Sequence, residues 1–286
     1  MTFASSNLSP TGRPRDPVLT AHGIDQVKQL ADYFVSLPPE KRPQMIVSSP
    51  YYRCVQTAGP SAEKLGLDIH IEPGIIEWFP RAAKGSGFHP LPMRVETVSR
   101  YSPRVAAKSK WSPLAHPFRR GENIQEVHAR ARRALGLIIE RCEQMGVQRV
   151  LLVSHAATVI AMGRALMERE GEETTDWETG EGIRIGAGTA SLSLYVRGEQ
   201  ARKLHGLEGP GEEGVWQQVL NGSADHLPQG VEREWTFDDI PGNVEEPGMG
   251  VGWKDEEALE EAELDRLEYA MVKSGSTTTI SSKAHM

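Results

Sequence analysis

The sequence predicts an α/β fold of three layers, in which a mostly parallel sheet carries helices on both faces. Two short apolar runs, at residues 45–47 and 150–153, have the character of buried strands, and each is followed by a helical pattern. Segments 48–58 and 151–157 cover the two points where strand gives way to helix. Because α/β folds place their chemistry at such points, we expect the two segments to form one site.

The first part of the chain predicts alternating helices and strands after an irregular start. Residues 1–17 are rich in Ser, Pro and Arg, which indicates a loop. Apolar residues at helical spacing from Gly23 predict a helix that stops before Pro38. A buried strand at 43–48, a helix and a short alternating strand at 67–71 follow.

The middle of the chain predicts an insertion and a long helix. Residues 80–121 contain many Pro, Gly, Ser and Lys residues, and we interpret them as an insertion or lid over the site, where specificity resides. Asn123 is the predicted N-cap of a long amphipathic helix. We interpret the arginines of this helix, Arg130, Arg132 and Arg133, as a solvated face.

The last third of the chain changes in character. Residues 190–197 predict a last sheet strand, which bounds the domain at 18–205. Residues 206–286 are acidic and rich in Gly, Glu and Pro, and they predict a tail that is largely disordered or bound to a protein partner. Within this tail, Trp235 and Phe237 fit either a strand that closes the core or an anchor for the partner.

Composition limits the classes of function. A net charge of −7 over 286 residues argues against direct, nonspecific binding to nucleic acid, although a local basic pocket is compatible with it. There is neither an apolar run of membrane-spanning length nor a secretory signal behind the initiating Met. The 2 cysteines have neither metal-ligand spacing nor disulfide density. These features predict an intracellular protein, cytoplasmic or nuclear, without a metal or cofactor.

Three side chains fit the handling of a phosphate group. The guanidinium of Arg53 can bind two phosphate oxygens at once, although an arginine at a helix start can also form a surface ion pair. His155 follows a strand end and can donate to phosphate when protonated, or it can be a core histidine bonded to a backbone carbonyl. Glu77 lies between apolar residues, so burial could raise its pKa and make it the acid for the leaving oxygen. Alternatively, Glu77 caps a turn.

Three further residues are weaker candidates. His89 and Arg81 could reach the pocket from the insertion, but exposed loop positions are the preferred interpretation. Cys54 lacks a Cys-x5-Arg arrangement, so we interpret it as a packing residue of its helix and not as a catalytic thiol. None of the three is assigned a role in the site.

The order of three motifs resembles the histidine phosphatase, or phosphoglycerate-mutase-like, superfamily. The motifs are Leu-Thr-x-x-Gly-x-x-Gln at 19–26, Ser-Pro-x-x-Arg-Cys-x-Gln-Thr-Ala at 49–58 and Val-Ser-His at 153–155. The resemblance covers roughly residues 16–200. It implies that Arg53 and His155 belong to a pocket for phosphate or a phosphorylated small molecule. It also makes Glu77 the nearest candidate for the proton donor.

One motif of that superfamily is absent. Its enzymes carry an Arg-His-Gly triplet at the end of their first strand, and the histidine becomes phosphorylated; no such triplet occurs in these 286 residues. His22 and Gly23 follow Ala21 and no apolar strand, so we assign no nucleophile. We therefore expect the first strand to be missing, which predicts an unstable, inactive pseudoenzyme or an incomplete product. An active phosphatase or mutase whose true start lies upstream is the alternative.

A narrower resemblance suggests a second class of function. Residues 77–79, 87–90, 221–222 and 232–237 resemble fungal phosphoglycerate-mutase-family proteins. Those proteins are similar in turn to the tau subunit of the RNA polymerase III initiation factor that carries a histidine-phosphatase domain. The resemblance implies a non-catalytic assembly subunit of a transcription complex. The sequence thus leaves two hypotheses open, a phosphate-binding protein with little or no hydrolysis and a scaffold that works through its tail.

Overall fold

The computed structural model describes most of the chain up to residue 237. The described residues are 10–11, 15–82, 89, 92, 94–106, 111–168, 175–176, 181–207 and 214–237. The helices are α1 (Ala21–Ser36), α2 (Tyr52–Leu65), α3 (Val95–Val98), α4 (Ile124–Gln144), α5 (Ala156–Met167) and α6 (Glu199–Leu204). The strands are β1 (Met45–Ser48), β2 (Ile69–Ile71), β3 (Val150–Val153), β4 (Leu192–Val196) and β5 (Gln217–Ser223). Short 3-10 helices lie at Pro39–Lys41 and Pro73–Ile75.

A parallel sheet of three strands forms the centre of the fold. Strand β1 lies between β2 and β3, and both neighbours run parallel to it. Ser48, the last residue of β1, stands opposite Ile71 and Val153, the last residues of the other two strands. All three strands therefore end at the same edge, and the loops that follow them meet there.

Helices cover both faces of this sheet, as the sequence predicted. Along β1, Met45 and Val47 point to one cluster of buried residues and Ile46 points to another, because successive side chains of a strand alternate between faces. The first cluster contains α4 and α5, and the second contains α2, with α1 packed against α2. These two apolar layers hold the central strands in place.

Local sequence explains where the main helices begin. The Thr20 hydroxyl accepts the Gly23 backbone N–H at 3.1 Å and caps α1. Asn123 and Glu126 form a reciprocal capping box at the start of α4, so the predicted N-cap is confirmed. The same helix contains one correction, because Arg130 is buried and only Arg132 and Arg133 are exposed.

The predicted last strand and tail need correction. Strand β4 pairs antiparallel with β5, and among the described residues neither strand joins the parallel sheet. Residues 214–237 lie within the predicted tail, yet they contain β5 and a segment whose Phe237 is almost fully buried. Trp235 and Phe237 pack on each other and on Trp78, with ring centroids 5.0–6.2 Å apart. These aromatic residues close part of the core, and 238–286 lie outside the described residues.

The described residues include no candidate membrane helix and no partner strand at the outer edge of β3. No described helix combines the length and apolar character needed to cross a bilayer. The edge of β3 that faces away from β1 pairs with no strand in the described part of the chain.

Candidate functional site

The common edge of the parallel sheet brings the three predicted site residues together. Arg53 is the second residue of α2, just beyond β1, and His155 directly precedes α5, just beyond β3. Glu77 follows β2 and the short helix Pro73–Ile75. The Arg53 Nη2 atom lies 3.1 Å from His155 Nδ1 and 3.3 Å from Glu77 Oε2. The same Glu77 oxygen lies 3.3 Å from His155 Nδ1, so the three groups form one contact triangle.

His155 is buried and bounded by polar groups on both ring nitrogens. Its Nε2 atom lies 2.9 Å from the Ser49 hydroxyl and 3.4 Å from Cys54 Sγ. The edge of its ring meets the Tyr51 ring, with centroids 5.4 Å apart. The interpretation of His155 as a core histidine bonded to a backbone carbonyl does not describe these contacts.

Arg53 is held by backbone, carboxylate and aromatic groups. Its Nη1 atom donates to the Arg15 carbonyl at 3.1 Å and lies 3.6 Å from Asp16 Oδ1. Its guanidinium lies 4.5 Å from the centroid of the Tyr51 ring, a cation–π geometry. Arg53 is mostly buried, which contradicts the alternative that it forms an exposed ion pair at the surface.

Asp16 is a further residue of the site that was not predicted, because it lies in the segment predicted to be an irregular loop. The Asp16 carboxylate is fully buried and accepts the Tyr52 backbone N–H at 2.8 Å, at the start of α2. Burial raises the pKa of Asp16, and the nearby Arg53 opposes that rise. The one available signal was its position directly after a charged residue and before a proline, which does not distinguish a cap from a loop.

The electrostatic prediction for Glu77 was wrong. Burial does favour its neutral form, but His155 and Arg53 outweigh that effect and lower the pKa of Glu77 to about 2. Glu77 is therefore a carboxylate at neutral pH when no ligand is bound. It can act as a proton donor only if a bound anion takes over its contacts with Arg53 and His155.

The other titratable groups of the site favour neutral forms. Burial lowers the pKa of His155; Glu77 opposes this effect and Arg53 adds to it. Burial also raises the pKa of Cys54 to about 12, so Cys54 is a thiol and not a nucleophilic thiolate at neutral pH. The positive charge of Arg53 thus already has a carboxylate partner in the ligand-free site.

The weaker candidates lie beside the site. His89 is buried, contrary to the predicted exposed loop, and its Nε2 atom donates to the Pro80 carbonyl at 2.7 Å. Its ring stacks on Phe79, which in turn contacts Tyr51. Arg81 forms an ion pair with Glu126 of α4.

His22 is placed outside the contact triangle. It is exposed in the first turn of α1, and its Nε2 atom lies 2.9 Å from Glu232 Oε2. This contact gives His22 a partner other than Arg53, Glu77 or His155. Within the described part of the chain, no group of three or more His, Cys, Asp or Glu side chains is arranged to hold a metal ion.

Comparison with known proteins gives sequence matches to two curated relatives. The chain is 32% identical over 241 residues to the transcription factor tau 55 kDa subunit of Saccharomyces cerevisiae, covering 80% of this chain and 53% of that protein. It is 29% identical over 167 residues to the human ubiquitin-associated and SH3 domain-containing protein A, covering 57% of this chain and 24% of that protein. The chain therefore spans about half or less of the length of these relatives.

A solved structure and a family profile complete the comparison. The ecdysone phosphate phosphatase of Bombix mori, solved in complex with tungstate, is 21% identical with a TM-score of 0.47, covering 59% of this chain and 65% of that one. The profile of the histidine phosphatase superfamily (branch 1) matches residues 5–204, which is most of the chain. On the strength of that profile match, this chain belongs to the histidine phosphatase superfamily, branch 1.

Proposed function

We propose that this chain binds a phosphate group, free or on a small molecule, through Arg53 and His155, and hydrolyses phosphomonoesters slowly or not at all. The observation that carries the proposal is the contact triangle of Arg53, Glu77 and His155 at the end of the parallel strands. The 286 residues contain no Arg-His-Gly triplet to supply a phosphorylated histidine. Binding without efficient turnover is the function that these two features support together.

Electrostatics determines how a phosphate could enter. Glu77 is the anionic partner of Arg53 in the ligand-free site, so a phosphate must either displace the carboxylate or share Arg53 with a protonated Glu77. Protonated Glu77 and protonated His155 would both donate hydrogen bonds to phosphate oxygens. We therefore expect anion binding to take up protons and to strengthen as the pH falls below neutral.

The test is calorimetric titration with inorganic phosphate, together with a turnover assay on para-nitrophenyl phosphate. Because charge-assisted hydrogen bonds are worth about 1.5–3 kcal/mol, Arg53→Ala should weaken binding by roughly 10- to 100-fold. The matched control is Arg132→Ala, which removes an exposed arginine of α4 outside the site. Equal phosphate affinity of the wild type and Arg53→Ala would refute the binding proposal. Robust turnover by the wild type would show that the chain does contain a nucleophile.

A second candidate function is assembly into a transcription complex in the nucleus. It is supported by the 32% identity with the yeast transcription factor tau 55 kDa subunit over 80% of this chain. In this alternative, the domain is a scaffold and the protein partner binds through residues beyond 237. The phosphate site would then be dispensable for assembly.

Affinity purification from the source organism separates the two candidates. Co-purification of transcription-factor subunits with both wild type and Arg53→Ala would support the assembly role. A variant that ends after Phe237 keeps the described aromatic segment and should lose those partners if the tail binds them. Retention of all partners by that variant would contradict a role for the tail.

A further inference from the structure

The backbone that leads to Glu77 is held by buried donors. The carbonyl oxygens of Gly74, Ile75 and Ile76 accept hydrogen bonds from Arg130 Nη1 at 2.8 Å, from the Ser154 hydroxyl at 2.7 Å and from the Thr158 hydroxyl at 2.6 Å, respectively. Arg130 Nη1 also lies 3.3 Å from the Ile76 carbonyl. Three successive peptide units are thus fixed immediately before the Glu77 side chain leaves the backbone.

Arg130 is itself fixed by Glu122. The Arg130 Nε atom donates to Glu122 Oε1 at 2.6 Å, and both side chains are almost completely buried, at 3% and 2% exposure. Burying an ion pair costs desolvation that apolar side chains of similar volume avoid, so stability alone gives little reason for it. A guanidinium can nevertheless contact a carboxylate with one edge and carbonyl oxygens with another, which an apolar residue cannot do.

The residue after Glu77 is anchored to the same place. The Trp78 indole N–H donates to the Glu122 backbone carbonyl at 2.6 Å. Glu77 therefore lies between two attachment points, one through Arg130 and one through the backbone of Glu122. The Glu77 side chain is 24% exposed, and its Oε1 atom accepts the Trp78 backbone N–H at 3.1 Å.

We propose that the buried Arg130–Glu122 pair is a positioning device that holds the Glu77 carboxylate against Arg53 and His155. This inference rests on the proposed phosphate site, because Glu77 has a function to be positioned for only if that site binds an anion. Arg130 acts through the carbonyl oxygens of Gly74 and Ile76 and does not contact the ligand. If the pair is removed, the Glu77 carboxylate is released from Arg53 and His155, while these two residues keep their own contacts with Tyr51 and Ser49.

The test is the variant Glu122→Gln/Arg130→Met, which removes both charges and leaves no unpaired buried ion. Its readout is the titration of the Glu77 carboxyl and the His155 ring by NMR in the ligand-free protein. We expect the pKa of Glu77 to rise from about 2 toward the value of about 4.5 of an unperturbed carboxyl. Unlike a loss of stability, this rise requires that the carboxylate has left Arg53 and His155.

A ligand experiment extends the test. Sulfate stays a dianion across the range used, so the pH dependence of its affinity reports protons taken up by the protein. One such proton changes the affinity by up to about tenfold per pH unit. We expect the double variant to lose the Glu77 part of this dependence, because a carboxyl that no longer faces the anion need not be protonated. In a Glu77→Gln background, the double substitution should change the dependence no further.

Arg164→Met is the matched control, since Arg164 is a buried arginine of α5 that donates to the Ile183 carbonyl and not to the segment before Glu77. It should lower stability and leave the Glu77 titration unchanged. A folded double variant with the pKa of Glu77 still near 2 overturns the positioning role. If the double variant does not fold, Arg130→Lys replaces it, because a lysine ammonium lacks the rigid planar fork with which Arg130 contacts Glu122 and the carbonyl oxygens. The same unchanged titration would overturn the proposal there.

The two proposals can fail separately. The NMR titration needs no ligand, so it tests the position of Glu77 even in a protein that binds no anion. A wild type that binds neither phosphate nor sulfate would refute the phosphate site alone. A wild type that binds both, with Glu77 unaffected by loss of the pair, would refute the positioning role alone.

Discussion

His128 and His155 are both buried and both lie beside an arginine, yet their surroundings differ in one important respect. The His128 Nδ1–H donates to the Ile124 carbonyl of its own helix at 2.7 Å, so its Nε2 atom is left as the acceptor facing Arg164 Nη1 at 3.2 Å. A second proton, on Nε2, would point at the Arg164 guanidinium. Burial is the main reason that the pKa of His128 falls to about 4, and Arg164 and Arg132 add to the effect.

The Nδ1 atom of His155 faces a carboxylate, whereas the Nδ1 atom of His128 faces a backbone carbonyl. The Nδ1 atom of His155 lies near Glu77 Oε2 as well as Arg53, and its Nε2 atom faces a hydroxyl that can donate or accept. A proton on His155 therefore has a partner on each side, and Glu77 opposes the effect of burial on the pKa of His155. Both histidines have a pKa lowered by burial, but only His155 faces a carboxylate that opposes this effect.

The largest expected effect concerns the packing around His128. Phe237 packs on the His128 ring at 5.1 Å and under the Arg164 guanidinium at 5.5 Å. Because a buried phenylalanine truncated to alanine leaves a cavity, Phe237→Ala should reduce the free energy of unfolding by about 3–5 kcal/mol. Chemical denaturation measures this loss, and Phe237→Leu should recover much of it. Sulfate affinity should be unchanged, and its loss in the folded variant would show that the two histidine sites are coupled.

The stability of the protein should depend on pH through His128. The pKa of His128 is lowered from 6.5 in the unfolded chain to about 4 in the folded protein, so between these values the unfolded chain binds more protons. The contribution of His128 to the free energy of unfolding should therefore be at its full value above pH 6.5. It should fall, by up to about 3 kcal/mol, as the pH drops toward 4. Urea denaturation at several pH values measures the slope. His128→Gln should flatten it, and an unchanged slope in that variant would assign the acid sensitivity elsewhere.

Local sequence accounts for much of the fold and for the core of the site. The strands at residues 45–48 and 150–153, the capping of α4 and the meeting of Arg53, Glu77 and His155 follow from apolar runs, caps and motif order. Strand β5 was not predicted because residues 217–223 contain only two apolar side chains. Its extended backbone is instead stabilised by antiparallel pairing with β4. A strand defined by its neighbour more than by its own pattern is hard to recognise from a single sequence.

The errors at the site have a common cause. Arg130 was expected on a solvated face, yet it lies three residues after the buried Val127 and four before the buried Ala134. Glu122 and the carbonyl oxygens of Gly74 and Ile76 surround its guanidinium. Glu77 was expected to have a raised pKa because its sequence neighbours are apolar, whereas in space it contacts Arg53 and His155, which lower its pKa. Glu77 contacts Arg53 and His155, and Arg130 contacts carbonyl oxygens 54 and 56 residues away, so no short window of sequence contains either environment in full.

Glu77→Gln tests the comparison directly, because it removes the carboxylate that distinguishes His155 from His128. The pKa of His155 should then fall further, since Glu77 is the first group that raises it. Sulfate should bind several-fold more tightly at neutral pH, because a competing charge of about 1 kcal/mol is removed from Arg53. Calorimetry with sulfate measures the gain. Weaker binding would mean that Glu77 assists the anion even at neutral pH, for instance by orienting Arg53.

The smallest effect should come from His22, a histidine at the surface. His22 contacts Glu232 across a partly exposed ion pair, which typically contributes between 0 and about 1 kcal/mol. His22→Ala should therefore change the free energy of unfolding by less than about 1 kcal/mol and leave sulfate affinity and phosphatase turnover as in the wild type. His22 precedes a glycine near the start of the chain, as the phosphorylated histidine of an Arg-His-Gly triplet does, so it is the stand-in to test. If the wild type turns over para-nitrophenyl phosphate and His22→Ala abolishes that activity, His22 is the nucleophile, and the surface histidine rather than the buried His155 carries the chemistry.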